Sequence, residues 1–186
     1  MPRQILSKQN IIQASVNLIE SGEEPSFAAV ARKLGTKSQA LYSYFANQRA
    51  LSYSIVAWAI KKMTSHLQEQ IFGQSGISGI VSFAVEFRQV ALQHFLLTQF
   101  VLKMPRTSAY PEVTAAFQQL KKLLNQLLAT EFDDAQSQLL ASRCGRDLLI
   151  GDIINVGTGW FSDKSISADT SFQELLIANL KLIKQK

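Results

Sequence analysis

The chain has 186 residues, enough for one helical domain of ordinary size or for a small module joined to a larger one. With 47% hydrophobic and 18% charged residues it has a globular composition, which excludes a disordered or histone-like protein. The net charge of +5 suits a nucleic acid or another anionic surface as partner, though a modest excess of this kind also serves plain solubility.

A single cysteine, Cys144, excludes an intramolecular disulfide and a four-cysteine zinc site, and fits a reducing, cytoplasmic setting. The first residues, Met1-Pro2-Arg3-Gln4, begin no apolar signal segment. The most apolar stretch, Phe95 to Met104, is short and contains Gln99 and Lys103, so no membrane partner is expected.

In chain order, Ser7 can cap a helix to about Ser21, with Ile11, Ile12, Ala14, Leu18 and Ile19 on one stripe and Gly22 as its stop. Ser26 can cap a second helix, Phe27 to Leu34, ended by Gly35. Ser38 can cap a third, Gln39 to Phe45, and Asn47 a long fourth reaching about Ile71. Gly73 to Gly79 is a Gly/Ser break and a candidate hinge. From Ser78 one long helix is expected to about Lys103, then a turn over Met104-Pro105-Arg106-Thr107. Tyr110 to about Thr130 reads as helix, with Pro111 tolerated in its first turn. Asp133 or Asp134 starts a further helix to about Trp160. After a polar loop, Ser162 to Thr170, comes a last amphipathic helix, Ser171 to Ile183, with Leu175, Leu176, Leu180 and Ile183 on its stripe. The fold expected is all-α: three short helices, then about five longer ones forming an antiparallel bundle.

The stretch from Ser26 to Leu51 is the most informative. Two short helices meet at a glycine across a three- to four-residue turn, the length pattern of a helix-turn-helix. Ala31 is small where the helices cross, Gly35 supplies a backbone with positive φ, and Leu34 and Leu41 fill the space beneath. The second of the two helices then offers polar residues to a major groove.

These residues resemble the TetR/AcrR family of transcriptional regulators. The resemblance is carried by Val30-Ala31, Leu34-Gly35, Leu41-Tyr42, Tyr44-Phe45 and Leu51, and upstream by Ile12, Ala14, Leu18 and Gly22. Asn47-Gln48-Arg49-Ala50-Leu51 resembles the start of the family's fourth helix. It covers about residues 5–60; beyond, only length and helicity agree.

The resemblance implies a helix-turn-helix DNA-binding domain over 1–46 and a helical ligand-binding and dimerisation domain over 47–186. It implies that Ser38, Gln39, Ala40, Tyr42, Ser43 and Tyr44 face double-stranded operator DNA. Gln39 can then read an adenine edge and Ala40 touch a thymine methyl. Tyr42 and Tyr44 bond phosphate oxygens, and Lys37 is placed for phosphate. The N–H groups near Asn47 can hold another phosphate. Where the family usually has a lysine this chain has Gln48; Arg49, about 100° round the helix, is the alternative basic anchor. Arg3 and Lys8 add contacts if an N-terminal arm reaches DNA. Phe45 is read as core.

A homodimer is implied, through the last two helices. Gly145, Gly151, Gly157 and Gly159 allow close approach there, and Leu148, Gly151, Ile153, Val156, Leu176 and Leu180 are the expected interface. A small-molecule effector, hydrophobic or aromatic, is implied to lodge among the middle helices and swing the fourth. Trp58, Met63, Phe87, Phe100, Met104 and Phe117 are the candidate apolar lining, with His66, His94 and Tyr110 as polar groups.

Enzymatic chemistry has little support. His66 and His94 are the only histidines, without metal-ligand spacing, and no Gly-rich phosphate loop or Gly-x-Ser-x-Gly elbow is present. Arg143 and Arg146 flank Cys144, a setting that favours a thiolate, but a structural thiol is the simpler reading. No cofactor, metal or catalytic residue is expected. The expected function is a ligand-responsive repressor; the alternative is a helix-turn-helix activator or protein-recruiting regulator without a ligand.

Overall fold

The structure is a computed structural model and describes residues 6–161, 163 and 165–185. Among the described residues it contains helices only: α1 (Lys8–Glu20), α2 (Phe27–Lys33), α3 (Ser38–Leu41), α4 (Gln48–Gln70), α5 (Gly76–Gln93), α6 (Phe95–Lys103), α7 (Pro111–Leu128), α8 (Ala135–Gly157) and α9 (Ala168–Lys184). None of them is long and apolar enough to cross a membrane. Arg3, expected on an N-terminal arm, lies outside the described residues.

The helix starts are set by local hydrogen bonds that the sequence announces. Ser7 accepts from Asn10 N, Ser26 from Ala29 N, and Asp134 from Ser137 N, each satisfying a first-turn donor that the helix cannot. Asn47 Oδ1 does the same for Ala50 N at 2.9 Å. α2 ends in a six-residue reversal: Thr36 N donates to Ala31 O at 2.9 Å and Gly35 N to Arg32 O at 3.2 Å. Gly35 sits at φ +65 with nothing within 4 Å of where a Cβ would be. The requirement for glycine there is therefore backbone conformation rather than space.

Four expectations are corrected. Ser38 does not cap α3: the extended residue before the helix is Lys37, and Ser38 is its first member. α3 also stops at Leu41 instead of Phe45. Tyr44 N and Phe45 N both donate to Leu41 O, a tight turn that drops Phe45 into the core and leaves room for the Asn47 cap. The long helix expected from Ser78 is two helices, starting at Gly76 and broken at His94, whose backbone leaves the helical region at φ −113, ψ 47. No glycine or proline marks that break; packing of α6 against α1 through Leu97 and Phe100 does. The last helix starts earlier than expected, at Ala168 behind a Ser167 cap, and Leu175 leaves its buried stripe, which is Phe172, Leu176, Leu180 and Ile183.

The chain divides into two compact units, residues 1–62 with 94–118 and residues 63–93 with 119–186. The division follows packing. In the first unit α1 packs on α2 and α6, and α2 on α3, around a core that includes Ile11, Leu18, Val30, Leu41, Phe45 and Leu51. In the second, α8 packs on α9 and α5. There Gly79, whose Cβ would come within 3.1 Å of Leu127 Cδ2, lets α5 lie close to the end of α7. The Gly/Ser break narrows to residues 71–75, and Gly76 N is held by Thr130 Oγ1 at 2.7 Å.

Candidate functional site

α2, the Gly35 reversal and α3 form the helix-turn-helix expected from the sequence. Leu41 is fully buried beneath it, so the opposite side of α3 faces out. Lys37, Gln39 and Ser43 are exposed, Ser38 and Ala40 half-buried. Tyr42 is 55% exposed and Tyr44 38%, while Phe45 is in the core. The Tyr42 ring stands edge-on to Phe27, centroids 4.9 Å apart, which fixes an otherwise free side chain at the surface.

Four of the candidate DNA-contacting residues have internal partners that the sequence did not disclose. Tyr44 donates its hydroxyl to Leu6 O at 2.7 Å, so its one proton is already committed and only its acceptor side faces outward. Gln48 is half-buried. Its Oε1 accepts from Phe27 N at 2.9 Å and its Nε2 donates to Pro25 O at 2.7 Å. It is a clasp between the start of α4 and the start of α2. Arg49 is exposed, with its guanidinium 5.8 Å above the Tyr53 ring. Lys8 lies over Phe45 and 3.6 Å from Glu112, rather than free on an arm.

The residues expected around a ligand are divided between the two units. Trp58, His94, Phe100, Met104, Tyr110 and Phe117 belong to the first unit; Met63, His66 and Phe87 belong to the second. Trp58 and Phe100 pack against the core of the helix-turn-helix. Tyr110 stacks on Tyr53 at 4.2 Å, and Phe117 lies 3.3 Å beneath the Arg106 guanidinium. Met104 is half-buried where the chain becomes extended after α6. His94 stands at the α5/α6 break, exposed, with Nδ1 3.0 Å from Glu20 Oε1. His66 Nε2 meets Glu86 Oε2 at 3.2 Å, and Phe87 lies 6.4 Å from Phe83.

Of the expected dimer residues, Ile153, Leu176 and Leu180 are buried within the protomer, at 1%, 0% and 0% exposure, and have no surface to offer a partner. Leu148, Gly151 and Val156 are half-buried. A Cβ at Gly151 would meet nothing within 4 Å, and one at Gly145 would make an ordinary contact with Leu176 at 3.9 Å, so neither glycine is required by close packing inside the unit. The exposed apolar side chains of α8 and α9 are instead Leu139, Leu140, Ile150, Leu175 and Leu182. Burial, with Asp147 adding to it, pushes the Cys144 thiol up, away from a reactive thiolate.

The sequence reading missed a buried ionic cluster in the second unit. Arg88 on α5 donates through Nε to Asp152 on α8, and through Nη1 to Asp169 on α9 at 2.6 Å. Burial pulls the guanidinium down, but the bonds and charges of both carboxylates outweigh it and leave Arg88 above its ordinary range. Burial raises the Asp152 carboxyl, and Arg88 offsets this only in part. A signal was present: Arg88 falls on the buried stripe of α5 with Ile80, Ala84 and Ala91, and Asp152 on that of α8 with Leu149 and Ile153.

No protein-family model matches the sequence, and no curated protein matches it. Solved structures do match along nearly the whole length. Regulatory protein SCO4313 is 17% identical, with a TM-score of 0.74 over 94% of this chain and 95% of its own. TetR from Acinetobacter baumannii AYE is 16% identical, with a TM-score of 0.70 over 96% of this chain and 98% of its own. The transcriptional regulator FadR from Bacillus subtilis, in complex with stearoyl-CoA, is 18% identical, with a TM-score of 0.67 over 93% and 99%. The helix-turn-helix and the helical body that follows it together make the fold of TetR-family regulators.

Proposed function

We propose that the chain is a TetR-family transcriptional repressor that binds operator DNA as a homodimer and is released by a small hydrophobic or aromatic effector. The observation that carries this reading is the Gly35 reversal, which turns α3 so that Leu41 is buried while Lys37, Gln39, Tyr42 and Ser43 face outward. That is the disposition a recognition helix needs to enter a major groove. Residues 1–46 form the DNA-binding domain, joined at the DNA by Arg49 at the start of α4, and residues 47–186 serve sensing and dimerisation. Gln39 and Ala40 read bases; Lys37, Ser38, Ser43, Tyr42 and Arg49 hold the backbone. Tyr44 and Gln48 position the recognition element through Leu6, Pro25 and Phe27.

The interface is best supported on the exposed faces of α8 and α9, around Leu139, Ile150, Leu175 and Leu182. The effector reading draws support from neighbours whose structures hold stearoyl-CoA or minocycline.

The test is binding of the purified protein to DNA from its own upstream region, against unrelated DNA, at two salt concentrations. Saturable, selective binding that weakens with salt is expected. Equal, weak binding to both DNAs, together with unchanged affinity for Gln39→Ala and Tyr42→Ala, would remove the assigned recognition helix.

A further inference from the structure

The second unit holds a buried guanidinium whose hydrogen bonding is incomplete. The Arg88 side chain is 5% exposed. Nε and Nη1 each have a carboxylate, but Nη2 is buried with no acceptor among the described residues. A guanidinium has five N–H donors, and a donor left dry in an interior is destabilising by more than an ordinary hydrogen bond contributes. Such a group marks a place where an acceptor belongs.

The two carboxylates are unlike. Asp152 is 7% exposed and sits on the buried stripe of α8, paired with Arg88 out of reach of solvent. Asp169 is 74% exposed and reaches Arg88 from solvent, out of the first turn of α9. That turn carries the partial positive charge of a 17-residue helix, so it favours an anion whether or not the anion is Asp169. With the Asp169 side chain swung out into solvent, an incoming monocarboxylate restores the charge that Asp169 had placed beside Arg88. A free carboxylate, unlike one tethered to α9, can also slide to span Nη1 and Nη2 as a two-toothed pair. One turn on, the Phe172 ring lies 5.5 Å from the guanidinium and gives the site an apolar wall.

We propose that Arg88 anchors an exchangeable carboxylate site, in which a small organic acid displaces Asp169 and bonds Nη1 and Nη2 together. A carboxylate is chosen over phosphate because it is the group already seated there, and because a dianion would bring surplus negative charge beside buried Asp152. As the effector site of a regulator it rests on the function proposed above; as an anion site it does not.

The test uses the full chain carrying Asp169→Ala, a change at an exposed residue that leaves the Arg88–Asp152 pair in place. Thermal unfolding is followed in sodium acetate and in sodium chloride of equal ionic strength. Acetate at 100 mM is expected to raise Tm by roughly 3–5 °C over chloride, saturably, as a ligand with a Kd of about 10 mM does in a chain of this size. Acetamide is expected to do nothing, and inorganic phosphate less than acetate. The triple variant Arg88→Met, Asp152→Leu, Asp169→Ala removes both buried charges together and is expected to lose the acetate response. Equal Tm in acetate and chloride, or an undiminished response in the triple variant, overturns the site; phosphate exceeding acetate overturns the assignment to carboxylates. No DNA is present, so failure here leaves operator binding standing, and failure of operator binding leaves this result standing.

Discussion

Gln48 holds two backbone groups that would otherwise lie half-buried without partners, Phe27 N and Pro25 O. Gln48→Ala removes both bonds and is expected to cost about 1–3 kcal/mol, read as a lower urea midpoint at unchanged slope. An unchanged midpoint would mean that water replaces the amide freely. Gln48→Lys separates two roles: it restores a cation facing the DNA backbone but cannot accept from Phe27 N. Operator affinity should rise at low salt while stability falls. At Gly35 any side chain must adopt φ +65, so Gly35→Ala is expected to cost about 1–2 kcal/mol although nothing is there to clash with. Sequence made Gly35 legible because the constraint is local. It made Gln48 visible only as a missing lysine, because its partners lie 21 and 23 residues away.

Among the elements, starts were more legible than ends. The caps at Ser7, Ser26, Asn47 and Asp134 act within three residues, whereas the break at His94 is imposed by packing of α6 on α1 and has no local mark. Asp134 gives the cap of α8 a pH signature. Hydrogen bonds from Ser137 hold its carboxyl below the ordinary range. Its contribution is therefore complete above the unfolded-state pKa and disappears as pH falls through the lower folded one. Asp134→Ser, which caps without titrating, should make acid unfolding shallower; identical acid curves would reject this role. On α8 and α9 hydrophobicity was legible but facing was not. Leu175 and Leu176 are neighbours in sequence, yet one is 53% exposed and the other fully buried. Leu182→Glu, on the exposed face with Leu175, should give a folded monomer by sedimentation and circular dichroism, and Leu176→Glu an unfolded chain. A folded dimer for Leu182→Glu would move the interface elsewhere.

For the molecule as a whole, the helical class and the place of the helix-turn-helix could be read in advance, while the composition of each compact unit could not. The first unit includes α6 and the start of α7, so its core draws on residues far apart in sequence. The second is tied by Arg88 and Asp152, charges that hydropathy scores against burial. Arg88→Met alone strands Asp152 and is expected to cost about 3–5 kcal/mol, whereas Arg88→Met with Asp152→Leu should return close to the parent stability. Equal losses in the two, by denaturant titration, would show that the pair is not coupled. The Tyr44 bond to Leu6 carries a practical consequence. The surface assigned to reading DNA is fastened to backbone that precedes the first helix. Trimming by a protease through Leu6 would remove the carbonyl that accepts from the Tyr44 hydroxyl, and a cloning scar there would re-seat it, changing operator affinity with no substitution in α2 or α3. Samples bearing different N-terminal tags should therefore be compared for DNA binding before any of them is taken as the reference.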